Sequence, residues 1–141
     1  MDKEYIITVV GRQTVDGETD TIEVITAGGM TVSDDGILIT YPEYAEDNPS
    51  QKTETTVTLK DGVLSIDRRG EMSSHLILEQ GVRHECLYET PMGQMFIGIF
   101  TDSIRADLDA HGGEINAGYQ LDFNRSVVSN NEFYISVKEK Q

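Results

Sequence analysis

Arg68 is the charged residue of this sequence whose predicted position most requires a binding partner. Side chains alternate along the predicted strand that holds it, so Leu64 and Ile66 share a face with Arg68. A guanidinium among apolar side chains costs on the order of several kcal/mol in lost hydration unless it is paired and hydrogen-bonded. Its partner is therefore either an anionic ligand or an internal carboxylate such as Glu71 or Glu79, and the internal ion pair is the commoner arrangement.

Further polar side chains are predicted to share the interior with this arginine. His84, Cys86 and Tyr88 lie on the uncharged face of one strand, and Tyr119 lies on the apolar face of a later strand. Imidazole and phenol groups beside Arg68 would suit a small, partly polar ligand. The alternative is that these side chains close one end of a filled interior, each using its polar tip for a hydrogen bond.

Catalytic and metal-binding motifs are absent from the sequence. A nucleophilic pair of Cys86 and His84 is strained, because residues i and i+2 of a strand lie about 7 Å apart. The other histidines, His75 and His111, have no metal-ligand spacing, and the acidic run 102–109 is typical of a solvated segment. No phosphate-binding glycine motif follows a strand and opens a helix. We therefore expect no cofactor and no metal.

Composition narrows the partners and the compartment. The chain has 141 residues with a formal net charge of −14, and such an acidic surface repels nucleic acid and anionic membranes. Cys86 has no second cysteine to pair with, which is typical of a reducing compartment. The apolar run near the N-terminus is too short for a signal peptide or a membrane span. We expect a cytoplasmic protein.

Alternating apolar and polar residues predict β-strands along the whole chain. Asp16-Gly17 and Asp61-Gly62 are hairpin signals, and Gly28-Gly29 predicts a bulge or a sharp bend inside a strand. We also expect an exposed loop over 42–50 and a turn at 130–131. The segment around 96–101 is predicted to be a strand covered on both faces, and the segment 103–110 is either a strand or a helical turn.

Roughly eight to ten strands follow from this spacing, without a long amphipathic helix between them. We therefore expect no parallel crossovers, and one all-β domain, residues 1–141, with antiparallel strands in a sandwich or barrel.

The chain resembles a known family over nearly its whole length, and the segments that carry the resemblance lie after Asp61-Gly62. The segments that carry it are Arg68-Arg69-Gly70, then 88–93 (YETPMG), Thr101 and Ile104, 118–121 (GYQL), and 131–133 (NEF). They are similar in order and spacing to the uncharacterised YwiB-like proteins of bacteria. The resemblance implies a calycin-like, lipocalin-like β-barrel and a bacterial cytoplasmic setting, but it implies no activity.

Three functions remain open at this point. The first is a small-molecule-binding barrel with Arg68, His84, Tyr88 and Tyr119 lining or gating an open cavity. The second is a non-enzymatic structural or interaction module with a filled barrel, which acts through its acidic surface or as a homo-oligomer. The third and least favoured is an enzyme, which would need Glu71 or His84 within reach of Arg68 in an accessible pocket.

Overall fold

Alternation of apolar and polar residues produces ten β-strands in this chain. A computed structural model describes residues 4–44, 52–70, 73–90, 93–123 and 126–140, without the side chains of residues 88–90 and 127. The strands are β1 (Tyr5–Val15), β2 (Glu18–Ser33), β3 (Gly36–Tyr44), β4 (Lys52–Lys60), β5 (Val63–Arg69), β6 (Ser74–Glu79), β7 (Arg83–Thr90), β8 (Gly93–Asp109), β9 (Gly112–Phe123) and β10 (Ser126–Glu139).

Each strand pairs with its sequence neighbours in antiparallel fashion, and β1 pairs with β10 to close a barrel. The prediction of an all-β, antiparallel barrel is therefore confirmed. The helical alternative at 103–110 is wrong, because β8 continues through this segment and Ile104 pairs with Ala117 on β9. No helix long and apolar enough to cross a membrane occurs in the described part of the chain.

The hairpin turns follow the aspartate–glycine signals. Asp16 and Gly17 have φ values of 51° and 81°, and Asp61 and Gly62 have 52° and 79°. Two consecutive positive φ values match the right-handed twist of the flanking strands, and glycine adopts them at little cost.

Two turn predictions are wrong. Asn130 and Asn131 lie inside β10, where they pair with β9, and the ladder of these two strands already begins at Phe123 and Ser126. The loop predicted over 42–50 begins too early, since β3 continues to Tyr44; residues 45–51 lie outside the described part of the chain.

Gly28 marks the corner at which β2 changes partners. Residues up to Gly28 pair with β1, and those from Gly29 onward pair with β3. A Cβ atom at Gly28 would lie 2.3 Å from the Thr40 carbonyl oxygen and 2.5 Å from Cδ1 of Ile7. The absence of a side chain therefore permits the close approach that the bend requires.

The strands are staggered strongly around the barrel. A row of paired residues that leaves β2 at Val32 and passes through every strand returns to β2 near Glu18, about 14 residues away. With about 3.3 Å per residue and about 4.8 Å between strands, this stagger tilts the strands by about 45° from the barrel axis. Inward side chains at the same height along the barrel axis therefore do not belong to residues that are paired with one another across the strands.

Aliphatic side chains fill the middle of the barrel. Seven of them, from seven strands, have no exposed surface at all, which means that no water-sized space adjoins them. They are Ile7, Ile39, Leu64, Leu78, Ile99, Ile115 and Ile135. The outer face is less covered than predicted around 96–101, since Phe96 on β8 is 66% exposed.

Candidate functional site

Solvent reaches the inner wall of the barrel at one end. Along the inward face of β5, the exposed fraction rises from 0% at Leu64 and 5% at Ile66 to 42% for the side chain of Arg68. On β3 the same order runs from buried Tyr41 to partly exposed Glu43. We call this the open end, defined by the inward side chains of Glu43 and Arg68.

An ion pair occupies the inner wall of the open end. Nη2 of Arg68 donates to Oε2 of Glu43 over 2.8 Å, and the hydroxyl of Thr55 donates to the same oxygen over 2.9 Å. Thr55 is the register partner of both Arg68 and Tyr41. The carboxylate therefore has two donors from two neighbouring strands, β4 and β5.

The internal carboxylate is not one of the two that the sequence suggested. Glu79 pairs with His84, and Glu71 lies outside the described residues. Glu43 was missed because Pro42 was taken as the end of β3. The two-residue alternation from Tyr41 to Glu43 was the signal that places this carboxylate on the inner face.

Tyr41 forms the floor beneath this ion pair. Its side chain is buried, and burial together with the nearby charge of Glu43 raises the pKa of its phenol well above the ordinary value, against smaller opposing effects of Arg68 and of a hydrogen bond with Thr55. The hydroxyl therefore stays protonated at every physiological pH.

His84 lies toward the interior on β7. Its Nε2 lies 3.0 Å from Oε1 of Glu79 on β6, and this contact spans two strands that share few ladder pairs. The enzyme hypothesis required Glu71 or His84 within reach of Arg68. Glu71 lies outside the described residues, and the described partners of His84 and Arg68 are Glu79 and Glu43. Burial also raises the pKa of the Cys86 thiol, which disfavours the nucleophilic thiolate.

The barrel tilt brings three of the four predicted interior residues to one level. Arg68, His84 and Tyr119 lie on the alternate strands β5, β7 and β9, at heights that agree within about 4 Å when the stagger is taken into account. Tyr119 is half-buried against the core. The side chain of Tyr88 lies outside the described residues; its backbone on β7 is four residues beyond His84, toward the open end.

A pocket of about 430 Å³ lies on the rim beside the open end, where β5 ends and β6 begins. We call it the rim pocket. Its lining combines two guanidinium groups, one imidazole, two hydroxyls, one carboxylate and one leucine, contributed by Asp67, Arg68, Arg69, Gly70, Ser73, Ser74, His75 and Leu87.

A second ion pair fastens the outer face of the barrel. Arg83 on β7 binds both carboxylate oxygens of Asp122 on β9, at 2.9 and 2.6 Å, across Gly98 on the strand between them. A Cβ at Gly98 would lie 2.2 Å from Nη2 of Arg83. The ion pair can reach from β7 to β9 because Gly98 on β8, between them, has no side chain. This arrangement indicates that the Arg83–Asp122 pair has a structural role.

Metal ligands do not converge in the part of the chain that the structure describes. No group of three or more histidine, cysteine, aspartate or glutamate side chains is placed there to hold a metal ion. The acidic segment 102–109 forms part of β8.

Comparison with known proteins identifies the family. The model of a family described as a domain of unknown function, DUF1934, matches residues 7–135. The chain belongs to this family. The crystal structure of the ywiB protein from Bacillus subtilis superposes with a TM-score of 0.85 at 21% identity, covering 99% of this chain and 94% of that one. The resemblance to YwiB-like proteins and the barrel fold are thereby confirmed. No curated protein matches the sequence.

Proposed function

We propose that the protein is a small-molecule-binding barrel, and that its ligand enters the open end and places an anionic group on Arg68. The observation that carries this proposal is the half-exposed guanidinium of Arg68 on an inner wall above a filled core. Within the barrel, a ligand would be limited to the open end, because the aliphatic side chains that fill the middle have no exposed surface.

The ion pair leaves Arg68 able to bind a second acceptor. Among the described residues, the contact of its guanidinium is the one from Nη2 to Glu43, whereas arginine has five N–H donors. Glu43 and Thr55 hold the planar group in place, so less rotamer entropy is lost when a carboxylate or a similar anion binds. Glu43 also limits the net positive charge, which favours a ligand with a single anionic group over a polyanion.

His84 and Tyr119 would form the remaining walls at this level. An imidazole and a phenol contribute hydrogen-bonding tips on apolar bodies, which suits a ligand that is partly polar and partly aromatic or aliphatic. The filled core below them sets the depth that such a ligand can reach.

Native mass spectrometry of protein purified from its own cells tests this proposal. We expect a co-purifying adduct on the wild type that is lost from Arg68→Met, together with weaker fluorescence enhancement of the anionic probe 8-anilinonaphthalene-1-sulfonate. Arg105→Met is the matched control, since Arg105 is an exposed arginine on the outer part of β8. An adduct that survives Arg68→Met, or that is absent from the wild type, would contradict the proposal.

A second candidate is an interaction module, and one observation favours it. Leu87 and Phe96 are cross-strand partners on the outer face, where they are 38% and 66% exposed. Neighbouring apolar side chains on a surface are typical of a protein contact, and a second copy of the chain is one partner they would fit. Sedimentation of the wild type and Phe96→Ser distinguishes this candidate, because only an association through this face shifts to monomer in the variant.

A further inference from the structure

The rim pocket has the size and the polar groups of a ligand site separate from the inner wall. Its volume of about 430 Å³ lies within the range of small-molecule sites, which is roughly 300–1,000 Å³. Arg69 and His75 alternate with Arg68 and Ser74, so they belong to the outer face of β5 and β6.

Arg69 is a cation whose neighbouring carboxylate is already engaged. Its register partner is Glu54, and Oε1 of Glu54 lies 2.6 Å from Nζ of Lys52. Arg12, Arg68 and Arg83 each bind a carboxylate, whereas the described residues offer no hydrogen bond or ion pair to Arg69 or to Arg105. Arg69 differs from Arg105 in that an imidazole, that of His75, borders the same pocket.

His75 is oriented by its neighbour on β5. Nδ1 of its imidazole contacts the carboxylate of Asp67, which is its cross-strand register partner. This contact fixes the ring and leaves Nε2 for a pocket ligand; in the imidazolium form, Nδ1–H donates to Asp67 and Nε2–H donates to the ligand. Asp67 thus acts as a positioning residue for the imidazole.

Hydroxyl groups and one apolar side chain complete the lining. Ser73 precedes β6 and Ser74 begins it at the edge of the pocket, and Leu87 of β7 supplies an apolar wall. Guanidinium, imidazole and hydroxyl groups around one space suit the three terminal oxygens of a phosphate group. A carboxylate, with two oxygens, would leave part of this donor set unused.

We propose that the rim pocket binds the phosphate group of a small phosphomonoester, with Arg69 and His75 as its principal donors and the organic part against Leu87. The apolar side chain of Leu87 at the edge of the pocket favours an ester over free inorganic phosphate, because it offers a contact to an organic group. The proposal is separate from the proposed function because its two principal donors, Arg69 and His75, lie on the outer face, whereas Arg68 and Ser74, which also border the pocket, belong to the inner face.

Calorimetric titration with glycerol 3-phosphate and, separately, with inorganic phosphate tests the proposal at low ionic strength. We expect saturable binding of the ester, tighter than that of phosphate, and a loss of about tenfold or more in Arg69→Gln and His75→Gln. Arg105→Gln is the matched control, because Arg105 is also an exposed arginine and also has no described ion pair. Backbone amide shifts in ¹⁵N NMR spectra should concentrate on residues 67–70 and 73–75.

Each other outcome overturns the proposal in a distinguishable way. Absence of saturable binding to either probe removes the site, and phosphate binding as tightly as the ester removes the phosphomonoester. Equal losses in Arg69→Gln and Arg105→Gln would show general attraction to surface charge. Loss in Arg68→Met without loss in Arg69→Gln would place the anion in the open end, which supports the proposed function and contradicts this one. Thermal unfolding confirms that each variant is folded.

Discussion

Two buried threonines allow a sharp test of how this barrel accommodates polar groups. Thr55 and Thr101 have almost no exposed surface, and both point inward from strands. The hydroxyl of Thr55 donates to Glu43 over 2.9 Å, whereas the hydroxyl of Thr101 has no hydrogen-bond partner among the described residues. The same substitution, threonine to valine, should therefore change stability in opposite directions at the two positions.

The magnitudes follow from hydrogen bonding and desolvation. A buried hydroxyl without a partner costs about 1–3 kcal/mol, so we expect Thr101→Val to raise the free energy of unfolding by about 1–2 kcal/mol. For a chain of this length, the midpoint temperature should rise by about 3–8 °C. Thr55→Val removes a donor from a partly exposed carboxylate, and we expect a loss of about 1–2 kcal/mol.

Urea unfolding monitored by circular dichroism measures both changes. The midpoint should move to higher urea for Thr101→Val and to lower urea for Thr55→Val, with unchanged slopes. Valine keeps the β-branched shape of threonine, so differences in strand propensity are small. If Thr101→Val destabilises the protein as much as Thr55→Val does, the Thr101 hydroxyl has a partner such as an ordered water, and the reasoning fails.

Two further predictions concern the β2 corner and the floor of the open end. Gly28→Ala should lower the free energy of unfolding by about 1–3 kcal/mol or more, because its Cβ would lie 2.3 Å from the Thr40 carbonyl oxygen. Gly29→Ala is the control, since its nearest contact would be at 3.3 Å. Equal urea midpoints for the two variants would contradict the role of Gly28 at the corner of β2. The raised pKa of Tyr41 means that its contribution to stability is complete below the ordinary tyrosine pKa of about 10 and is lost as the pH rises above it. Stability measured from pH 9 to 11.5 should thus fall less steeply in Tyr41→Phe, and identical slopes would refute this assignment.

Local patterns predicted the strands and their faces well. Period-two alternation placed Arg68 with Leu64 and Ile66, and the register confirms this face. Aspartate–glycine pairs predicted the tight turns correctly because the positive φ values they favour are a local property of the backbone. These features depend only on residues close together in sequence.

Two errors arose where composition is ambiguous. Pro42 lacks an N–H donor and commonly ends a strand, but β3 continues past it to Tyr44. Asn130 and Asn131 have the composition of a turn, but Asn131 is buried and donates to the hydroxyl of Ser129 on the same strand. A polar residue inside a barrel and a polar residue in a turn look alike until the tertiary structure is known.

The candidate site depended on information that no local pattern contains. The level shared by Arg68, His84 and Tyr119 follows from the stagger of ten strands, which is fixed only when the barrel closes. The rim pocket combines residues of β5, β6 and β7, and its lining could not be assembled from one strand. The sequence therefore indicated which side chains face inward, but which of them lie close together was known only from the structure.

Closure of the barrel through β1 and β10 has a consequence for biosynthesis. Tyr5 pairs with Glu139, so the first strand to leave the ribosome finds one of its two neighbours only when the last strand has been made. At about 5–20 residues per second, translation leaves that edge of β1 open for on the order of ten seconds. Bringing such distant segments together also carries a large loop-closure entropy, which slows folding. The nascent chain should therefore be most prone to aggregate before β10 emerges, and a chaperone that shields strand edges would help most at this stage.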